Sequence, residues 1–397
     1  MSTLAPAAPA STADVAMPAA SSRASASVVP WPLWAVAFAS TSVIVGVLWD
    51  ISWHRSIGRD SFWTPAHLAI YLGGVVAGLS CGWLVLHTTF AGSARERAAG
   101  VSFWGFRGPL GAWVCIWGAL AMIVSAPFDD WWHNAYGLDV EILSPPHVVL
   151  AFGINAIAVG AMLMALARQN AAPVPSRVLQ ALFVYTGGFL ILQAATLFME
   201  YIGIPNLQHG PRYFYTSAAI FPVLLVGIAL GAASRWGATA AAGVYMGVTL
   251  LMIWILQLFP AQPMLAPIMR QIDHMVPQSF PLLLVVPAVA VDLIVNRIPA
   301  GAGRLRRVAV GAGAGVAGML ALTAVQWPFA EFLLTEPARN FFFAADQFGY
   351  TRAPGAYQYV FWGRPMTAAA AGWTGLIAAA SALCGLWLGN WMTRVRR

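Results

Sequence analysis

Residues 49–67 read WDISWHRSIGRDSFWTPAH, and residues 128–147 read FDDWWHNAYGLDVEILSPPH. Each stretch closes an apolar run with an aspartate and a histidine four residues on, crosses a polar connection, and opens the next apolar run with a histidine behind proline. The patterns are Asp-x3-His-x12-His for Asp50, His54 and His67, and Asp-x3-His-x13-His for Asp129, His133 and His147. Residues four apart share one helical face, about one turn apart. Proline is well tolerated in a first helical turn, so Pro65 and Pro145–Pro146 mark helix starts. The chain therefore reads as two helical hairpins, 33–90 and 109–167, each returning its second His to the Asp–His face of its first helix.

The runs around these hairpins decide the fold class. Hydrophobic residues make up 59% of the 397-residue chain and charged ones 9%, and mean hydropathy is +0.71. No soluble domain of this size buries so much apolar sequence in one core. The expectation is an all-α polytopic membrane bundle of about ten helices, since a span takes roughly 20 apolar residues. The spans fall near 33–53, 65–90, 109–127, 146–167, 178–203, 214–234, 237–260, 279–296, 306–327 and 367–391. Residues 1–28, rich in Ala, Ser and Pro, read as a disordered cytoplasmic tail, and residues 29–397 as one transmembrane domain.

All 21 basic residues are Arg, and the net charge is +7. Arg95, Arg97 and Arg107 share one loop, Arg168 and Arg177 another, Arg235 a third, Arg297, Arg304, Arg306 and Arg307 a fourth, and Arg394, Arg396 and Arg397 the tail. Every second loop is basic. The loops between carry Asp60, Asp129, Asp130, Asp139, Glu141, Asp273, Glu331, Glu336 and Asp346. Positive loops stay inside, which predicts both termini in the cytoplasm, a location in the inner (plasma) membrane, and acidic loops facing outward. The charge surplus is thus topology, not nucleic-acid affinity. Cys81, Cys115 and Cys384 sit within spans without Cys-x-x-Cys spacing, so neither a disulfide framework nor a thiolate metal site is expected.

With this topology every His except His87 falls on the outer side. An Asp and two His on adjacent helices suit copper, zinc or iron and leave coordination positions open. Carboxylates and imidazoles near a bilayer are costly unless paired, hydrated or ion-bound, which makes them functional candidates. The alternative is that they cap helices and pair at a wet interface. Asp60 and Asp139, each six residues after the first His of its copy, are candidate supporting carboxylates. Glu200, His209, Asp273 and His274 are further candidates for acid–base or supporting roles, although adjacent Asp273 and His274 point apart on a helix.

The first copy resembles the copper-site segment of the C subunit of particulate methane and ammonia monooxygenases. It carries Asp50, His54, Arg59-Asp60, Thr64-Pro65-Ala66 and His67 in that segment's order and spacing. The likeness covers residues 50–67 alone. It implies a copper site of Asp50, His54 and His67, and more distantly the oxidation of a small apolar substrate with an external electron donor or partner membrane subunits. The second copy differs, having one more residue and Ser-Pro-Pro before its last His. The duplication leaves open two separate sites or one shared site.

Two other functions fit the same residues. A transporter for protons, metal ions or a small solute would continue polar residues through the bilayer, and here only His87, Asp292, Gln193 and Gln257 do so. A copper-handling or oxidase-assembly protein needs the outer ligands alone. Residues 328–365, with FFFAADQFGYTRAPGAYQYVFWGR, read as an aromatic outer loop, either anchored at the headgroups or acting as a lid. The small-residue run 311–318 suits close helix packing and assembly into oligomers.

Overall fold

The computed structural model describes residues 29–58, 60–137, 144–174, 176–264, 271–299, 301–347, 349–350 and 365–397. In chain order its helices are α1 (Trp31–Ser56), α2 (Pro65–Phe90), the short α3 (Ala94–Ala99), α4 (Leu110–Tyr136), α5 (Pro145–Ala171), α6 (Arg177–Leu197), the one-turn α7 (Met199–Ile202), α8 (Pro211–Gly231), α9 (Gly237–Leu256), the half-length α10 (Val285–Val295), α11 (Arg304–Leu333) and α12 (Ala368–Met392). The only described strands, Val101–Phe103 and Phe106–Gly108, form a small hairpin between α3 and α4. Among the described residues nine helices are long and apolar enough to cross a membrane. In hydrocarbon a backbone must satisfy its own hydrogen bonds, which is why these runs are helical.

The expected hairpins form and lie side by side: α1 packs on α2, α4 on α5, α2 on α4 and α1 on α5. Their seams repeat. A Cβ on Gly73, six residues after His67, would lie 2.6 Å from the Ala39 carbonyl oxygen; one on Gly153, six after His147, would lie 2.7 Å from that of Gly118. Ala39 and Gly118 each precede the Asp of their copy by eleven residues. The duplication thus reaches well below the polar ends, into the helix–helix contact.

The helices alternate in direction and sort charge between two ends. At one end Gln169 donates to the Gly231 carbonyl and Asn170 to those of Met392 and Val395, tying α5, α8 and α12 together beside Arg168, Arg235 and Arg394. Asp50, His54, Asp129 and His133 lie at the opposite ends of α1 and α4.

The eighth expected span, 279–296, is helical only over Val285–Val295. Before it the chain runs extended through Pro277 and Pro281, which lack the N–H a helix would use. Side chains from four other segments satisfy four of the amides left over. Ser56 accepts from Val276 N–H at 2.7 Å, Tyr350 from Phe280 at 2.9 Å, Tyr245 from Leu282 at 2.9 Å and Gln326 from Leu283 at 3.0 Å. Non-helical backbone at membrane depth is tolerated where protein surrounds it in this way.

Further differences follow from packing. Asp292 is 1% exposed and accepts from the Ala238 and Thr239 amides and the Thr239 hydroxyl, capping α9 from a neighbouring helix. The thiols of Cys81 and Cys115, distant in sequence, meet between α2 and α4. The expected aromatic loop starts late, because α11 continues through Pro328 to Leu333. Phe329 and Phe332 of its last turn pack with Phe280 and Phe343, and Tyr350 donates to the Phe343 carbonyl. This aromatic cap covers the extended crossing; residues 351–364 of the expected loop lie outside the described residues.

Candidate metal centres

Each cluster is assembled by the way its first helix stops. At the end of α1, Gly58 adopts φ +87° while its N–H and that of Ile57 both donate to the Trp53 carbonyl. The left-handed glycine turns the chain back so that Asp60 returns to the Asp50–His54 face. Thr64 then bridges the turn: Ser61 N–H donates to its hydroxyl at 2.8 Å, and Thr64 N–H donates to the Ser61 carbonyl at 2.9 Å. At the end of α4 the same device appears, with Gly137 at φ +87° and its N–H donating to the His133 carbonyl.

In the first cluster His67 Nε2 lies 3.2 Å from Asp50 Oδ1 and 3.3 Å from Asp60 Oδ2, and the three donors are all within 4.8 Å of one another. His54 Nε2 flanks them, 3.7 Å from Asp50 and 3.5 Å from Asp60. The sequence reading made His54 a ligand and Asp60 a support; the structure puts Asp60 among the inner donors and His54 at their edge. In the second cluster Asp129, His133 and His147 are the three within 4.8 Å, with His133 Nε2 3.5 Å and His147 Nε2 3.3 Å from the two oxygens of Asp129. Asp139 lies outside the described residues.

The ring orientations limit what these contacts can be. His67 donates Nδ1–H to the Ser61 carbonyl at 2.9 Å, and His133 donates Nδ1–H to the Gly137 carbonyl at 3.2 Å. A neutral ring so anchored turns its Nε2 lone pair on the carboxylates. Two acceptors then face each other, which is repulsive unless the ring takes a second proton or a cation lies between. Charge-assisted N–H···O bonds run about 2.7–2.9 Å, shorter than any separation in either cluster. Nitrogen and oxygen donors at about 2.0–2.1 Å from a tetrahedral ion sit about 3.3 Å from each other, close to the 3.2–3.5 Å of the nearest nitrogen–oxygen pairs in the two donor sets. His54, the first influence on Asp60, together with the other imidazole charge holds the Asp60 carboxyl below the usual carboxylate range.

Asp50, His67, Tyr71, Asp129 and His147 line one cavity of about 50 Å³ between the hairpins. Asp50, His54, His133, His147 and Glu200 also border a larger cavity of about 530 Å³, whose other walls include Ile44, Val47, Leu150, Ile154 and Leu197. Both clusters thus open on the same apolar space, and Glu200 of α7 reaches it. The remaining sequence candidates lie elsewhere. His209 stacks edge-on against Trp327 and faces Glu331 at 3.8 Å. His274 is not on a helix, so its neighbour need not point away: Nδ1 donates to Asp273 at 2.6 Å, and Nε2 lies 3.1 Å from Asp346. That group includes one short imidazole–carboxylate hydrogen bond, at 2.6 Å, which neither cluster shows.

Gly58 and Gly137 were the functional positions the motif reading missed. A signal for them was present, since each follows the first His of its copy by four residues. No protein-family model, curated protein or solved structure matches the chain.

Proposed function

We propose that the chain is a copper-binding integral membrane protein with two adjacent carboxylate–imidazole centres, whose shared cavity takes a small, largely apolar substrate for oxidation. The observation that carries this reading is donor spacing: two sets of three ligand atoms within 4.8 Å, each including one ring whose other nitrogen is committed to a backbone carbonyl, His67 in the first and His133 in the second. Anchoring of that kind is how metal-binding imidazoles are oriented. Asp50, Asp60 and His67, with His54 beside them, hold one ion; Asp129, His133 and His147 hold the other.

Imidazole and carboxylate suit copper, zinc and non-haem iron alike, and copper is preferred because residues 50–67 resemble the monooxygenase segment. Copper held there would supply one-electron redox chemistry, with dioxygen as the oxidant and reductant from a partner electron carrier. The protein's own share is to fix the donors and to offer a cavity in the size range of small-molecule sites. By the positive-inside bias the Arg-rich end faces the cytoplasm and both centres face outward from the plasma membrane.

The test is metal content per chain in protein purified from its native membrane. Two copper ions are expected, falling by half in His54→Ala/His67→Ala and by half in His133→Ala/His147→Ala. Zinc or iron in their place would overturn the copper assignment. A metal-free protein after copper-replete expression would overturn the centres altogether.

Transport is a second reading, favoured by one observation: the broken crossing before Val285, since interrupted helices mark many transporter sites. Against it, four amides of that crossing are held by side chains of other segments rather than left to a moving solute. Metal flux into proteoliposomes, without stoichiometric retention of metal, would move the reading to transport.

A further inference from the structure

The Arg-rich end of the bundle holds a cavity of about 770 Å³ that the metal centres do not use. Arg235, Arg297 and Arg307 line it, together with Leu230, Leu293 and Leu386. Asn296 builds the cavity's corner: its amide donates to the Arg235 carbonyl at 2.7 Å and to the Asp292 carbonyl at 2.6 Å, joining the α8–α9 turn to the end of α10. The Arg235 guanidinium lies 5.5 Å from the centre of the Trp236 ring. Among the described residues no carboxylate pairs with Arg235 or Arg297. Asp292, the acid nearest in sequence, has instead turned to cap α9.

Arg235 and Arg297, sharing one concavity without described acidic partners, repel one another and call for an anion. Planar guanidinium groups match phosphate oxygens, two hydrogen bonds at a time. The apolar part of the lining comes from helices of the membrane bundle, and Leu293 is 40% exposed. A soluble phosphate would leave that surface unmatched, whereas an acyl chain would cover it. We propose that this cavity binds the phosphate head group of an anionic phospholipid, with its acyl chains along α8, α10 and α12. Basic pockets between spans are a known form of lipid recognition.

The test is native mass spectrometry of the full chain, delipidated in detergent and titrated with phosphatidylglycerol, phosphatidylcholine or inorganic phosphate. Retained phosphatidylglycerol adducts are expected, weakened roughly 30-fold in Arg235→Ala/Arg297→Ala, since each Arg near a lipid head group is worth about a factor of five. Arg304→Ala/Arg306→Ala removes equal charge from the same end but outside the cavity and should bind as the parent does. Arg235→Lys/Arg297→Lys should keep most of the binding, which separates lost recognition from lost folding. Equal weakening in both alanine pairs, or equal retention of phosphatidylcholine, would overturn the site. Inorganic phosphate displacing the lipid at equal concentration would overturn the lipid as its source.

Discussion

The two hairpins share a backbone and differ in their described donors. Both stop their first helix with a glycine at φ +87° four residues after a histidine, and both press a glycine of the second helix against a carbonyl of the first. Yet the first gathers Asp50, Asp60 and His67 with His54 at the rim, while the described residues of the second offer Asp129, His133 and His147. The scaffold that aims the donors recurs in both copies, while the described donors differ. Two carboxylates neutralise a divalent ion and one leaves it charged, so on the described donors the first centre is expected to hold its ion more tightly.

The largest effect that tests this comparison is removal of the carboxylate each copy is built around. Asp50→Asn is expected to empty the first centre and Asp129→Asn the second, each leaving one ion per chain by metal analysis. If either change empties both, the 50 Å³ cavity between the hairpins encloses a single joint site, and the comparison collapses. In the parent, graded chelation should release the ion of the second centre first.

The next effect concerns the scaffold. Gly73→Ala and Gly153→Ala each push a Cβ to within 2.6–2.7 Å of a carbonyl oxygen on the neighbouring helix. Overpacking of this kind costs about 1–3 kcal/mol. Thermal unfolding in detergent should show matched losses for the two variants. A loss at one position and none at the other would mean that the seams are not equivalent.

The contrast between copies also shows what a sequence can carry. Spans and hairpins were legible because hydrocarbon demands long apolar helices, and the Asp and His spacing was legible because it follows the helical period. The broken crossing was not, because MVPQSFPLLL is as apolar as a helix. Its extended form depends on Tyr245, Gln326 and Tyr350, which lie far away in sequence. The exchange of roles between His54 and Asp60 was hidden for a similar reason. The six residues from His54 to Asp60 fix no direction until Gly58 is known to be left-handed.

A smaller effect is expected from the carboxylates in the connections. Asp60 is an inner donor of the first centre, so Asp60→Asn should weaken that centre and leave the second unchanged, measured by competition with a chelator. Asp139 holds the corresponding place in the second copy's sequence, so Asp139→Asn should weaken the second centre alone. Should Asp139→Asn change nothing, the two donor sets differ in kind, and the gap in ion affinity between the centres should be wide.

The smallest expected effect falls on the turns. An L-residue held in the left-handed region costs about 1–2 kcal/mol, and Gly137 combines φ +87° with ψ −175°, which only glycine adopts readily. Gly58→Ala relaxes the turn that returns Asp60, so it should lower affinity at the first centre by up to about tenfold and leave the second untouched. Gly137→Ala should shift the carbonyl that anchors His133 Nδ1 and act only on the second centre. Restoring part of the loss with Asn, which tolerates left-handed backbone better than Ala, is expected at Gly58 and not at Gly137. That asymmetry would show the two turns to be the same stop signal built on different local geometry, and its absence would make the copies equivalent here as well.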